Sequence, residues 1–212
     1  MDQVSAPPLP PELLARLSAS GVTQQFDVGD VLFQEGDASD ALYVLIAGQL
    51  KAYSAKSNGR EVVYSTLEPG QIFGEMFLDG GPRSASVKAI APSTCLIVAG
   101  DQIRALMSAY PSFAEYVAMQ LMARLRAATR KMRALALDDV YERVTSLLQT
   151  SAVEDATGKH IPRHLTQLEI ASQVGATREM VNHVLRDLTR GGFILKDRRH
   201  RMTLLQPLPK RL

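Results

Sequence analysis

The chain has 212 residues, 46 % of them apolar, which suffices for one large domain or two modest ones. No apolar run approaches the ~18 residues of a membrane-spanning helix. The Pro-rich residues 1–12 lack the charged-then-apolar pattern of a secretory leader, so a cytoplasmic location is expected. A single cysteine, Cys95, excludes an intrachain disulfide. The net charge of +2 conceals a split: residues 1–123 hold 7 Lys and Arg against 13 Asp and Glu, whereas residues 124–212 hold 17 against 9. A basic half joined to an acidic half points to one part that meets a polyanion and one that does not; the plainer explanation is a clustering of solvated charges.

Residues 11–19 predict a short helix with Pro10 and Pro11 near its first turn. From Thr23 to Val98 short apolar or alternating runs recur, at 31–33, 41–46, 49–53, 61–66, 85–90 and 94–98. Turn residues such as Gly36-Asp37, Gly48, Pro69-Gly70 and Gly80-Gly81-Pro82 separate them. This spacing predicts an antiparallel barrel or jelly roll. Asn58-Gly59 suits a hairpin tip because both residues tolerate positive φ. Cys95 falls in an apolar run and reads as a core thiol rather than a redox sensor.

From Gln102 the pattern turns helical. Residues 113–137 contain neither Gly nor Pro, and within them Leu121, Leu125, Ala128, Met132 and Leu135 are spaced 4, 3, 4, 3. That heptad seam favours pairing with an identical helix over packing on the chain's own domain. Residues 139–150 predict an amphipathic helix with Val140, Val144, Leu147 and Leu148 on one stripe. Residues 151–163, polar and carrying Gly158 and Pro162, predict a loop.

Thr166-Gln167-Leu168-Glu169 has the form of a capping box, and the helix it opens stops at Gly175. Thr177 is a second N-cap, followed by Val181, Val184, Leu185 and Leu188 at helical spacing and then Gly191-Gly192. Two short helices joined by a brief Gly-containing turn form a helix-turn-helix. The second helix exposes Arg178, Glu179, Asn182, His183 and Arg186, and its N-terminal end is the part that enters a major groove. Arg pairs bidentately with guanine, and Glu accepts from the cytosine amino group. Residues 193–195 and 202–205, flanking the basic stretch 196–201, predict a wing. Its cations, Arg198 and Arg199 among them, would contact phosphates.

The whole series resembles the CRP/FNR superfamily of bacterial transcription regulators, and the cAMP receptor protein branch in particular. The resemblance rests on Phe73-Gly74-Glu75 followed by Arg83-Ser84-Ala85-Ser86, on the long helix leading to Leu137-Asp138-Asp139-Val140, and on Leu168-Glu169-Ile170-Ala171 through Thr177-Arg178-Glu179. It implies an α+β fold: a cyclic-nucleotide-binding β-roll (jelly roll) at 1–110, a central dimerisation helix at 111–138, and a winged helix-turn-helix at 139–212. It further implies a homodimer on two-fold symmetric double-stranded DNA, with RNA polymerase as a partner. Thr166, Thr177, Arg178, Glu179, Asn182, His183, Arg186, Arg198 and Arg199 are then the DNA-facing residues, and Arg178 and Glu179 read a G·C pair in a TGTGA-type half-site. Arg is usual in the family where His183 stands.

The resemblance also implies a phosphate-binding cassette made of Gly74, Glu75, Arg83, Ser84 and Ala85. Gly74 lets backbone approach the ligand, Glu75 accepts from a ribose hydroxyl, and Arg83 pairs with the cyclic phosphate. The alternative is a Gly-Gly-Pro turn with an exposed Arg83. Eight positions separate Glu75 from Arg83, fewer than is usual in nucleotide-binding members, so the cassette helix is expected to be short. The adenine-facing helix positions fall on Ala128 and Thr129, which keep one hydroxyl of two. No cofactor is required; cyclic AMP is a candidate effector, with cyclic GMP, cyclic di-GMP, another small effector or no ligand as alternatives. An iron–sulfur sensor is excluded, because one cysteine cannot hold a cluster. All four histidines lie at 160 or later, which argues against a haem sensor and against a metal-dependent jelly-roll enzyme. Two readings remain beside an effector-controlled regulator: a constitutive DNA binder whose β-roll is only a scaffold, and a nucleotide-binding module of a signalling complex.

Overall fold

The computed structural model describes residues 8–59, 61–155, 158–161, 165–197 and 201–209. Two compact units divide the chain, Met1–Ala128 and Thr129–Leu212, and the boundary falls inside its longest helix. Among the described residues no helix is long and apolar enough to cross a membrane.

The first unit opens with helix α1 (Pro11–Ser18) and continues as eight strands: β1 (Val22–Phe26), β2 (Val31–Phe33), β3 (Ala41–Ala47), β4 (Leu50–Ala55), β5 (Glu61–Leu67), β6 (Ile72–Phe73), β7 (Ser86–Ala89) and β8 (Ser93–Ala99). They form two four-stranded antiparallel sheets, β1-β8-β3-β6 and β2-β7-β4-β5. Strand alternation explains why the middle of β3 and of β8 is apolar at successive positions: both faces are covered there. Leu42 and Val44 of β3, with Leu96 and Val98 of β8, turn one way. They pack against Leu13 and Leu17 of α1, Ile103 of α2 (Gly100–Ala109), and Phe113, Tyr116 and Val117 of α3 (Pro111–Leu137). Leu45 and Cys95 turn the other way and meet Leu50, Leu67, Val87 and Ala89 of the second sheet.

The second unit contains α4 (Val140–Ser151), α5 (Gln167–Val174) and α6 (Arg178–Arg190), with strands β9 (Val153–Asp155), β10 (Gly158–His160), β11 (Ile194–Lys196) and β12 (Met202–Leu204). Val144 and Leu148 of α4, Ile170 and Val174 of α5, and Val181, Leu185 and Leu188 of α6 converge on one core. The expected caps are in place. Thr166 accepts from the Glu169 amide at 3.1 Å, Glu169 accepts from the Thr166 amide at 2.8 Å, and Thr177 accepts from the Met180 amide at 3.3 Å. Gly175, at φ 69°, ends α5 in the left-handed conformation.

The fold corrects one expectation and adds two strands that the sequence pattern does not mark. The polar composition of residues 151–163 predicts a loop, yet β9 and β10 form a hairpin there, and β10 pairs with β12 to make one sheet of order β11-β12-β10-β9. The reason is tertiary: these strands are polar and short, and a partner more than 40 positions away defines them. Strand β1 is largely polar and exposed and gives no apolar run; its five residues are held by pairing with β8. Strand β6 has only two residues, too few for a period.

The Cys95 side chain is fully buried, and burial pushes its thiol up to about 12. At pH 8 only about one molecule in 10,000 then carries the thiolate. The folded chain is expected to leave a disulfide-exchange reagent such as DTNB unconsumed at pH 8 and to release one equivalent on denaturation. Rapid native-state labelling would contradict the buried assignment.

Candidate ligand recess and nucleic-acid interface

Strand β6 runs into Gly74, then into a single short 3-10 helix, Glu75–Asp79, as the cassette spacing requires. Gly74 has φ 79°, and a Cβ added there would lie 2.6 Å from Nη1 of Arg83. Glycine at 74 is therefore needed twice, for its left-handed backbone and for the space that Arg83 occupies. The Arg83 side chain is 4 % exposed, which rules out an exposed turn residue. Its Nη1 donates to the carbonyls of Ala41 at 3.0 Å and Gly74 at 2.8 Å. Its guanidinium carbon lies 4.2 Å from the Phe33 ring centre, within a cluster formed by Phe33, Tyr43 and Phe73. Burial lowers the Arg83 pKa and raises that of Tyr43, while the guanidinium pulls Tyr43 back down.

Glu75 is 6 % exposed, and its Oε1 accepts from Nη1 of Arg124 at 2.5 Å. Nη2 of Arg124 also donates to the Ile72 carbonyl. Sequence reasoning does not single out Arg124. Its spacing holds the signal: it lies four positions before Ala128 and so shares a helix face with it. Gly74, Glu75, Arg83, Ser84, Ala85 and Arg124 line one recess. The remaining expected ligand residues, Ala128 and Thr129, are exposed positions at the boundary between the two units. Two buried polar atoms in the recess have no hydrogen-bond partner among the described residues: the donor Nε of Arg83 and the acceptor Oε2 of Glu75. Buried polar atoms are nearly always paired, so the recess suits a ligand that carries both an anionic acceptor and a hydroxyl donor.

On α6, the expected DNA-facing residues Thr177, Arg178, Glu179, Asn182, His183 and Arg186 line the outward side, and Thr166 stands at the start of α5; Arg178, Glu179, Asn182 and His183 are fully in the exposed range. Glu179 is held below the usual carboxylate range, first by its own backbone N–H and then by the Thr177 hydroxyl, so it stays an acceptor. Arg186 donates from Nη2 to Nδ1 of His183 at 2.8 Å. Arg can only donate, so Nε2 carries the ring proton and faces Oδ2 of Asp187 at 3.2 Å. Both His183 nitrogens are thus engaged within the helix. Arg198 and Arg199 lie outside the described residues. Arg201, beside them, is exposed, and its amide donates to Asp197 Oδ1 at 2.9 Å.

A β-roll with a recess beside a buried arginine, followed by a helix-turn-helix and its strands, defines the class as a two-part DNA-binding regulator. Residues 23–110 match the family described as "Cyclic nucleotide-binding domain" and residues 142–208 the "Crp-like helix-turn-helix domain". The chain is 31 % identical over 189 residues to a CRP-like cAMP-activated global transcriptional regulator of Mycobacterium tuberculosis, covering 87 % of this chain and 84 % of that one. It is 31 % identical to the cyclic AMP receptor protein of Thermus thermophilus, covering 78 % and 76 %. Its fold is like that of the c-di-GMP-responsive global regulator CLP of Xanthomonas campestris, with a TM-score of 0.82, 23 % identity, and 92 % and 99 % of the two chains covered. The chain belongs to the CRP/FNR superfamily of transcription regulators.

Replacing Arg124 by alanine leaves the buried Glu75 carboxylate with neither oxygen bonded. The expected cost is about 1–3 kcal/mol in the first unit, read from chemical denaturation. Glu75→Gln in the same background is expected to recover much of that loss. Equal and additive losses would mean that the pair is not coupled.

Proposed function

We propose that this regulator is controlled by a cyclic nucleotide bound in the recess of the first unit, cyclic AMP being the leading candidate. The observation that carries this reading is the buried, oppositely natured pair of unpartnered atoms, Arg83 Nε and Glu75 Oε2. A cyclic phosphate supplies an acceptor for the first, and a ribose hydroxyl supplies a donor for the second. Ser84 and Ala85 add a hydroxyl and a small side chain beside the phosphate. The names of the Mycobacterium and Thermus relatives support cyclic AMP, and the Xanthomonas neighbour keeps cyclic di-GMP among the compounds to be tried.

The second half of the proposal is a homodimer that reads a two-fold symmetric DNA site. Leu121, Leu125, Ala128, Met132 and Leu135 all face solvent on α3, with Leu125 68 % and Met132 69 % exposed. Such a stripe of large apolar side chains is what a second copy of the helix would cover. A nucleotide hydroxyl on Glu75 acts on the carboxylate that Arg124 already holds, so occupancy is felt on the helix that carries the seam. The coupling is reciprocal, and DNA tightens nucleotide binding by the same factor. RNA polymerase is the proposed partner of the DNA-bound dimer.

Calorimetry with cyclic AMP, cyclic GMP and cyclic di-GMP, with and without DNA, tests the sensor. One nucleotide is expected to bind once per chain, to bind more tightly in the presence of DNA, and to be lost in Arg83→Ala. If none of the three binds and DNA affinity is the same with each, the β-roll is a scaffold and the regulator is constitutive.

Arg178→Ala is expected to cost about 1–3 kcal/mol on the preferred site and to relax selection at one base pair per half-site. Arg201→Ala is expected to weaken binding to all sequences alike and to lower the salt slope by about 0.9 for each phosphate that is no longer neutralised. A selection experiment in which Arg178→Ala keeps full specificity removes Arg178 from the base-reading set.

A further inference from the structure

The outward face of α6 does not present its side chains independently. Gln167, the first residue of α5, is half-buried and lies against two of them. Its Oε1 accepts from Nε of Arg178 at 3.4 Å, and its Nε2 donates to Oδ1 of Asn182 at 2.9 Å. The polarity of this chain is fixed by chemistry. A guanidinium can only donate, so the oxygen of the Gln167 amide faces Arg178. Its nitrogen therefore faces Asn182, and what meets a donor there is the Asn182 oxygen. Hydrogen bonds run one way, from Arg178 through Gln167 to Asn182.

This direction decides what Asn182 offers to a ligand. An unconstrained asparagine can present oxygen and nitrogen together to the N6 and N7 edge of adenine. Here the oxygen is turned toward α5, and the Nδ2 donors are what the exposed side chain has left to present. We infer that Gln167 is a specificity-determining positioning residue: it turns Asn182 into a donor-only reader that selects an acceptor edge, guanine O6 and N7 or thymine O4, and rejects the paired contact to adenine. The inference rests on the reading that α6 lies in the major groove. Arg178 gains from the same contact. Its Nε is tethered, while both terminal nitrogens remain for a forked contact to guanine.

Replacing the amide by a carboxylate reverses the relay. In Gln167→Glu both oxygens accept, so Arg178 stays held, but Asn182 must now donate from Nδ2 and turn its oxygen outward. The base read should change from one with an acceptor edge to one with an exocyclic amino group, adenine or cytosine. In Gln167→Ala the asparagine is released and adenine is admitted.

The test is binding-site selection from a randomised duplex library. It uses the full-length chain, with and without cyclic AMP, as wild type, Gln167→Glu, Gln167→Ala and Asn182→Ala. Circular dichroism melts establish that the variants are folded. Wild type is expected to prefer G or T at one position per half-site by about tenfold, and Asn182→Ala to flatten that position. At the same position Gln167→Glu is expected to shift the preference to A or C, and Gln167→Ala to lose the discrimination against A. The readout is a ratio between bases, so a general loss of affinity from the added negative charge leaves it unaffected. If Asn182→Ala flattens no position, or if both Gln167 variants keep the wild-type preference there, the inference is overturned while the recognition-helix reading stands. If the wild type selects no sequence at all, that reading itself fails, and this inference falls with it.

Discussion

A guanidinium buried in an apolar setting has to be surrounded by acceptors, and the first unit is organised around meeting that demand for Arg83. One terminal nitrogen takes the carbonyls of Ala41 and Gly74, so the start of β3 and the end of β6 are held to the same group. The planar cation lies over the rings of Phe33 and Tyr43, and Phe73 packs against both of those rings. Gly74 must be glycine because the cation fills the space where a Cβ would stand. What these partners leave unmet is the Nε donor: the surroundings that already stabilise the buried cation hold one further N–H in place.

The neighbouring carboxylate works by the opposite logic. Glu75 is buried beside a basic residue of α3, and only one of its oxygens is bonded. Removing a carboxylate from water is unfavourable unless its lone pairs are met. The Arg124 ion pair offsets part of that cost and ties the cassette to the helix at the same time. Recess and helix therefore share one ion pair, and a ligand that completes the coordination of Glu75 necessarily acts on both.

How much of this is legible in the sequence follows the range of the interactions. The helix-turn-helix is plain because its signals are local: Thr166 and Glu169 cap within three positions, Gly175 ends the helix, and Val181 to Leu188 repeat at helical spacing. The two-faced apolar strands β3 and β8 are equally plain. The arrangement of Gly74, Glu75 and Arg83 is legible only through resemblance, since a glycine-rich turn with one arginine has an ordinary exposed form. Arg124 and Gln167 escape because each acts through a partner on another element, 49 positions away for Glu75 and 15 for Asn182. Strands β9 and β10 escape for the same reason, since their polar residues become a sheet only against β12.

That last pairing changes what the wing is. Lys159 and His160 stand opposite Leu204 and Thr203, so the segment just before the helix-turn-helix and the segment just after it are strands of one sheet. The two helices of the helix-turn-helix are enclosed in a loop closed by backbone hydrogen bonds at its base, with Met202 and Leu204 in their common core. The wing is therefore a clasp rather than an appendage. Opening it breaks the β10–β12 pairing and uncovers Met202 and Leu204, so fraying at the wing is opposed by the same core contacts that hold the helical pair.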